Sequence, residues 1–183
     1  MSVASVVAVF GASSPRDGTA TYAEARELGA LLAQSGYIVA TGGYRGVMEA
    51  SSRGASEAGG HVIGVTCERI EALVPGLRPN QWVAEEIRFR DLRERLSHLV
   101  IESQAAIAMP GGIGTLSEIA LTWSLIQTAE IPSKPLILVG QNWQQVVSVF
   151  LQQAGDHVRE RDSGLLRTVD TAAEAATLVV ECL

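Results

Sequence analysis

Short apolar runs alternate with amphipathic stretches along the chain. Residues 3–10 form a first apolar run that ends at Gly11-Ala12-Ser13-Ser14-Pro15, predicting a buried strand that meets a loop. Apolar positions Ala25, Leu28, Leu31 and Leu32 make a helical stripe over 21–35, and Gly36 ends it. Residues 37–40 read as a second strand closing at Thr41-Gly42-Gly43, 46–58 as a helix stopped by Gly59-Gly60, and 61–66 as a third strand. Pro75, Gly76 and Pro79 make 68–85 an irregular connection. A helix is expected over 87–103, with Leu92, Leu96, Leu99 and Val100 on one face. Residues 105–109 read as the fourth strand, followed by a helix from 115 to 127. A fifth strand over 135–139, a helix over 143–154, a short last strand over 166–169 and a last helix over 171–182 complete the pattern.

Continuously apolar strands that alternate with helices predict an α/β fold, a doubly wound, Rossmann-like parallel sheet with helices on both faces. No internal repeat, linker or low-complexity segment interrupts the 183 residues, so residues 1–183 are expected to form one nucleotide-binding domain. Such folds bind ligands at the carboxyl ends of their strands. Three glycine- or serine-rich turns fall at such ends, at 11–14, 41–46 and 111–115. The helix over 116–127 points Ile119, Leu121, Trp123, Leu125 and Ile126 in several directions, more than one packed face needs. Either a homodimer interface or a central position in the monomer accounts for the excess.

Composition narrows the partners. A net charge of −6 and a pI of about 5.1 argue against a nucleic-acid binder and leave room for a phosphorylated small molecule. Basic charge is almost all arginine, with Lys134 the only lysine. Cys67 and Cys182 lie far apart and read as two buried free thiols in a reducing compartment. His61, His98 and His157 are scattered, so no metal site is expected. The first apolar run is short and has no basic region before it, and no run approaches the ~18 residues of a membrane span. A cytoplasmic protein with no membrane partner is expected.

The most informative segment is Pro110-Gly111-Gly112-Ile113-Gly114-Thr115-Leu116-Ser117-Glu118, placed between a strand and a helix. Its glycines let backbone approach a ligand, and a helix start offers unpaired N–H groups to an anion. It lacks the final glycine of G-x-G-x-x-G, where Ser117 stands, and no lysine follows to make a P-loop, so a dinucleotide cofactor is disfavoured. Glu118 is unexpected beside a phosphate site, because its charge opposes phosphate binding. On the residues alone it reads as a first-turn carboxylate that stabilises its own helix.

The full set of motifs resembles the LOG (Lonely Guy) family, long labelled "possible lysine decarboxylase". The family signature P-G-G-x-G-T-x-x-E fits residues 110–118 throughout, and G-G-x-x-G-x-M fits Gly42-Gly43-Tyr44-Arg45-Gly46-Val47-Met48. Gly11, Ser13 and Ser14 match the first turn, residues 60–65 resemble the third strand, and Lys134-Pro135 precedes the fifth strand as in the family. The likeness covers residues 3–150. It implies a cofactor-free hydrolase that cleaves the N-glycosidic bond of nucleoside 5′-monophosphates, releasing ribose 5-phosphate and a base that in some members is a cytokinin. It further implies that Glu118 and Arg95 are the essential pair. Gly111, Gly112, Gly114 and Thr115, with Gly42, Gly43, Gly46, Met48, Gly11, Ser13 and Ser14, would then hold phosphate and nucleotide. Arg95 could instead belong to a solvated helix face with Arg88, Arg90 and Arg93; Met48 and Trp82 could line a base pocket or pack in the core. The chain departs from the family at Leu96, where a basic residue is usual, at Ser117, where an acidic one is, and at Thr41, where a glycine is. Molybdenum-cofactor carrier proteins resemble the same family, so a carrier of a phosphorylated ligand is the alternative. Pyridoxal-dependent decarboxylation needs a lysine, and the only candidate is Lys134, in a Ser-Lys-Pro loop.

Overall fold

The computed structural model describes residues 4–183. Val3, the expected start of the first strand, lies outside the described residues. The elements run β1 (Val6–Phe10), α1 (Ala20–Gln34), β2 (Ile38–Thr41), α2 (Val47–Glu57), β3 (Val62–Cys67), α3 (Glu68–Leu73), β4 (Glu85–Phe89), α4 (Leu92–Ile101) and β5 (Ala105–Ala108). They continue with α5 (Ile113–Gln127), β6 (Leu136–Val139), α6 (Gln141–Ala154), a 3-10 turn (Gly155–His157), α7 (Glu160–Ser163), β7 (Leu166–Val169) and α8 (Ala172–Cys182).

All described strand pairs are parallel, in the order β4-β3-β2-β1-β5-β6-β7. This is the doubly wound α/β sheet that the apolar pattern predicts. The chain builds outward from β1 to β4, then returns to β5 on the other side of β1. The direction of winding therefore reverses between β1 and β5, and a crevice opens there at the carboxyl ends.

Alternate residues of each strand feed two cores. Val7, Val9, Val39, Ile107 and Ile137 pack beneath α1, α2 and α8. Ala8, Phe10, Ala40, Ala106 and Ala108 pack beneath α4, α5 and α6. Helices α1 and α2 meet at backbone distance, because glycines stand at their crossing. A Cβ on Gly29 would sit 2.0 Å from the Ser51 carbonyl oxygen, and one on Gly54 would sit 1.8 Å from that of Arg26.

One region differs from expectation. The stretch 68–85 is not wholly irregular: it opens with α3 and ends by entering β4. The helix expected from 87 begins only at Leu92. Strand β4 is an edge strand, paired only with β3, and carries Glu85, Glu86 and Arg88 on exposed positions. Edge strands tolerate such charges, which hides the period-2 packing of Ile87 and Phe89. A helix-start signal was present in Asp91, whose carboxylate accepts from the N–H groups of Arg93 and Glu94. The expectation of two buried thiols holds for Cys67 only. Both cysteines are free, but Cys182 is exposed on the last turn of α8.

Candidate active site

Backbone hydrogen bonds join three turns at the carboxyl ends of the sheet. The Ala12 N–H donates to the Pro110 carbonyl at 3.1 Å, and the Ala12 carbonyl accepts from the Val47 N–H at 2.9 Å. The turns after β1, β5 and β2 are thereby fixed side by side. Glycines make the close approach possible. A Cβ on Gly46, whose φ is +71°, would lie 2.3 Å from the Ala12 oxygen, and one on Gly11 would meet Val47 at 2.4 Å.

These turns border a cleft of about 540 Å³. Of the residues singled out in the sequence, Gly11, Ser13, Ser14, Met48, Arg95, Gly112, Gly114, Thr115 and Glu118 line it. Gly42, Gly43, Gly46 and Gly111 do not line it; the space a Cβ would take at each is filled by protein. At Gly42 that Cβ would be 1.9 Å from Nη2 of Arg95, at Gly43 3.0 Å from Thr66, and at Gly111 2.1 Å from Oγ1 of Thr115. By contrast, nothing lies within 4 Å of a Cβ built on Gly112 or Gly114. Trp82 also stays outside the cleft, with the Arg53 guanidinium 5.7 Å from its ring centre.

The first turn of α5 faces this open space without a cap. Thr19, Asp91 and Thr171 accept backbone N–H bonds at the starts of α1, α4 and α8, whereas Gly112 has no side chain to do so. The N–H groups of the turn are free for an anion, and the helix dipole favours one there.

Arg95 and Glu118 come from α4 and α5 and meet in the cleft. Register on α4 separates Arg95 from its neighbours: Arg95 is 6% exposed, while the Arg93 side chain is 91% exposed. Arg88 and Arg90 precede the helix. Nε of Arg95 donates to the Val65 carbonyl at 2.7 Å and Nη2 to the Gly42 carbonyl at 3.3 Å. Its guanidinium lies 5.8 Å from the centre of the Tyr44 ring. Tyr44 is itself held by its hydroxyl, which accepts from the Cys67 N–H at 2.7 Å. Arg95 forms no ion pair among the described residues, so Nη1 keeps its donors for a ligand.

Glu118 is 9% exposed; its carboxylate accepts no hydrogen bond from the described residues and faces the open cleft. Burial pushes its pKa up from 4.5 to about 7, against the opposing pull of the Arg95 charge. The group sits one helical turn beyond the open glycine turn, so an uncapped helix start and a carboxyl group with its pKa raised to about 7 share one cleft.

Several cleft residues were not foreseen. Tyr44, Arg45 and Arg16 lie in the turns, where side-chain direction follows backbone dihedrals that a motif does not display. Ile70, Val74 and Leu77 form an apolar wall from the stretch read as irregular; the i, i+4 spacing of Ile70 and Val74 was the available signal. Lys134 is absent from the cleft lining. Its Nζ donates to the carbonyls of Val100 and Ser103 and to the Ser103 hydroxyl, capping the end of α4. Burial lowers its pKa to about 8. A lysine-bound pyridoxal reaction in this cleft therefore has no lysine to use.

The model of the family described as "possible lysine decarboxylase" matches residues 48–179. The chain belongs to this family. It is 35% identical over 134 residues to a probable cytokinin riboside 5′-monophosphate phosphoribohydrolase of Oryza sativa subsp. japonica, covering 69% of this chain and 51% of the relative. It is 31% identical over 139 residues to a cytokinin riboside 5′-monophosphate phosphoribohydrolase of Rhodococcoides fascians, covering 74% and 68%. The match thus spans about half of the rice relative's length. Among solved structures, the molybdenum cofactor binding protein of Rippkaea orientalis superposes with a TM-score of 0.74 at 25% identity, covering 98% of this chain and 97% of that one. The molybdenum cofactor carrier protein of Chlamydomonas reinhardtii gives 0.73 at 27% identity, covering 98% of each.

The buried carboxyl group makes stability depend on pH. The raised pKa means the folded protein binds more protons than the unfolded chain between pH 4.5 and about 7, so stability falls as pH rises through that window. Above it, the ionised Glu118 costs about 3 kcal/mol. Urea denaturation of Glu118→Gln should show a more stable protein than wild type at pH 8, with the gap closing as pH falls towards 4.5. A gap that stays constant with pH would show that Glu118 is not ionised at this cost.

Proposed function

We propose that this protein hydrolyses the N-glycosidic bond of nucleoside 5′-monophosphates, releasing a free base and ribose 5-phosphate. The observation that carries this reading is Glu118, a buried carboxyl group without hydrogen bonds, one helical turn from an uncapped glycine turn. Phosphate binding alone gains nothing from a carboxylate there. Glycosidic cleavage does, because positive charge develops at C1′ as the base departs. A carboxylate next to C1′ stabilises that charge and accepts a proton from the attacking water. The phosphate, held by the α5 turn, serves as a handle whose binding energy fixes the sugar against Glu118. Arg95, held at two of its nitrogens, turns its remaining donors to ribose or phosphate oxygens and keeps a positive charge near the carboxylate. The names of the rice and Rhodococcoides fascians relatives support the same chemistry; cytokinin ribotides are one candidate substrate.

We place the activity in one domain spanning the chain, in the cytoplasm, with a small-molecule substrate and neither nucleic acid nor membrane as partner. No described helix is long and apolar enough to cross a membrane. A second reading, a carrier of a phosphorylated ligand, draws on the molybdenum-cofactor proteins, which match nearly the full length of this chain. It has no use for Glu118 as a titrating group.

Homodimerisation is part of the proposal. Helices α5 and α6 flank an apolar groove of about 290 Å³ around Trp123 and Phe150. Leu116, Val146 and Phe150 line it and are all at least 46% exposed. A second copy would cover this face. Sedimentation should give a dimer for wild type and a monomer for Phe150→Glu; a wild-type monomer would overturn this part.

The reaction is tested by base release from AMP, GMP, CMP, UMP, IMP and a cytokinin ribotide, followed by chromatography. Glu118→Ala should lose at least about 100-fold in kcat/KM on the best substrate. The wild-type kcat/KM should rise with pH through about 7, as Glu118 ionises. No release from any of the six, with phosphate binding intact, would favour the carrier.

A further inference from the structure

Two opposite charges share the cleft without meeting. Arg95 and Glu118 both line it, and the Arg95 charge acts on the Glu118 carboxyl group. Yet neither forms an ion pair among the described residues. Opposite charges attract strongly where water is scarce, so the separation needs a restraint. Two backbone carbonyls supply part of it. Nε of Arg95 is held firmly by Val65 at 2.7 Å, whereas Nη2 reaches Gly42 only at 3.3 Å. Those bonds fix the guanidinium within its plane and leave tilting out of the plane to a contact on its face.

Tyr44 makes that contact. The guanidinium lies over its ring, 5.8 Å from the centre, where the negative face of the ring attracts a cation. The ring is anchored in turn. Tyr44 is buried, and its hydroxyl accepts from the Cys67 N–H at 2.7 Å. The one hydroxyl proton goes to the Cys67 carbonyl at 3.1 Å or to the Glu71 carboxylate at 3.2 Å. The Glu71 side chain is only 7% exposed and accepts from Nη2 of Arg88 at 2.7 Å. At the backbone, Nδ2 of Asn80 donates to the Tyr44 carbonyl at 3.0 Å. The ring is therefore pinned at both ends.

We propose that Tyr44 is a positioning residue whose ring braces Arg95 away from Glu118. Kept apart, the guanidinium retains Nη1 for a ligand, and the carboxyl group remains free to act on one. An ion pair would commit each group to the other. The inference rests on the cleft being the reaction site proposed above.

Carbon-13 NMR of protein labelled at the glutamate carboxyls reads the Glu118 pKa directly, with Glu118→Gln to assign the signal. Arg16 and Arg45 are the other charged side chains in the cleft lining, and guanidinium groups do not titrate in this range. Burial raises the Tyr44 pKa, so its hydroxyl stays neutral. In Tyr44→Leu, Arg95 should close on Glu118 and lower its pKa from about 7 by at least about one unit. Tyr44→Phe keeps the ring and should show less than half of that shift. Arg95→Gln should raise the pKa, and adding Tyr44→Leu to it should change nothing further, because the brace then has nothing to hold. A Tyr44→Leu pKa equal to wild type would overturn the proposal. So would the same fall in the Arg95→Gln background, which would mark water entry, or a Tyr44→Phe shift as large as that of Tyr44→Leu. Wild type alone provides a further check should Tyr44→Leu not fold. Its Arg95 guanidinium protons, assigned with Arg95→Gln, should lie upfield through the Tyr44 ring current; random-coil positions would contradict the brace.

Base release from AMP in the same variants separates the two proposals. For Tyr44→Leu the acid limb of kcat/KM should move to lower pH while the plateau falls at least about tenfold, a combination that partial unfolding does not give. No release from wild type, with the pKa pattern intact, removes the hydrolysis and leaves the brace. Release from wild type with a pKa that Tyr44→Leu does not move does the reverse.

Discussion

The backbone N–H and carbonyl of Ala12 hold the cleft together. The N–H donates to the turn after β5 and the carbonyl accepts from the first residue of α2, so that three loops from three strands are joined into one floor. The sheet order makes this possible: β1 is central, with β2 on one side and β5 on the other. The Gly11 and Gly46 positions let the loops close to backbone contact, where any Cβ would collide. Side chains on α4 and α5 then project over a fixed surface. Without these contacts the α5 turn and the guanidinium of Arg95 would have no defined spacing.

On that floor the chain accepts an unfavourable group. Glu118 is buried with no hydrogen bond, and the nearby Arg95 charge compensates only in part, since its pKa still rises to about 7. A core built for stability would place an apolar residue or a hydrogen-bond donor there. An ionisable group largely buried yet lining a cleft, with its pKa shifted by that burial, is a feature of sites that do chemistry. Thr122, one turn further on, bonds back to the Glu118 carbonyl and not to its carboxylate, so the acid stays uncommitted. Lys134 shows the opposite use of a buried charge. All of its donors close the end of α4, a structural role that leaves nothing for catalysis.

Much of this was legible because the central strands are buried on both faces. The apolar runs at 105–109 and 135–139 have a single physical meaning, and the glycine turns that follow the strands mark the ligand edge. The family resemblance carried by the P-G-G-x-G-T-x-x-E segment pointed to Glu118 and to Arg95, which the register of α4 turns inward while Arg93 faces solvent. Sequence could not separate glycines that face a ligand from glycines that face protein. Gly112 and Gly114 stand before open space, whereas Gly42 and Gly111 are pressed on Arg95 and Thr115, and only tertiary packing distinguishes them. Strand β4 escaped notice because an edge strand carries charges, and the apolar wall of Ile70, Val74 and Leu77 escaped with it, in a stretch whose prolines and glycine suggested no order.

The central claim is that phosphate held at the α5 turn positions the sugar for attack beside Glu118. Its most direct test is the kcat/KM for base release from AMP measured against that from adenosine, which has the same glycosidic bond and no phosphate. The account predicts a preference for AMP of at least about a thousandfold, with kcat as well as KM affected, because the handle's binding energy is used at the reacting carbon. Equal turnover of the two would contradict it, since the α5 turn would then contribute nothing to the chemistry.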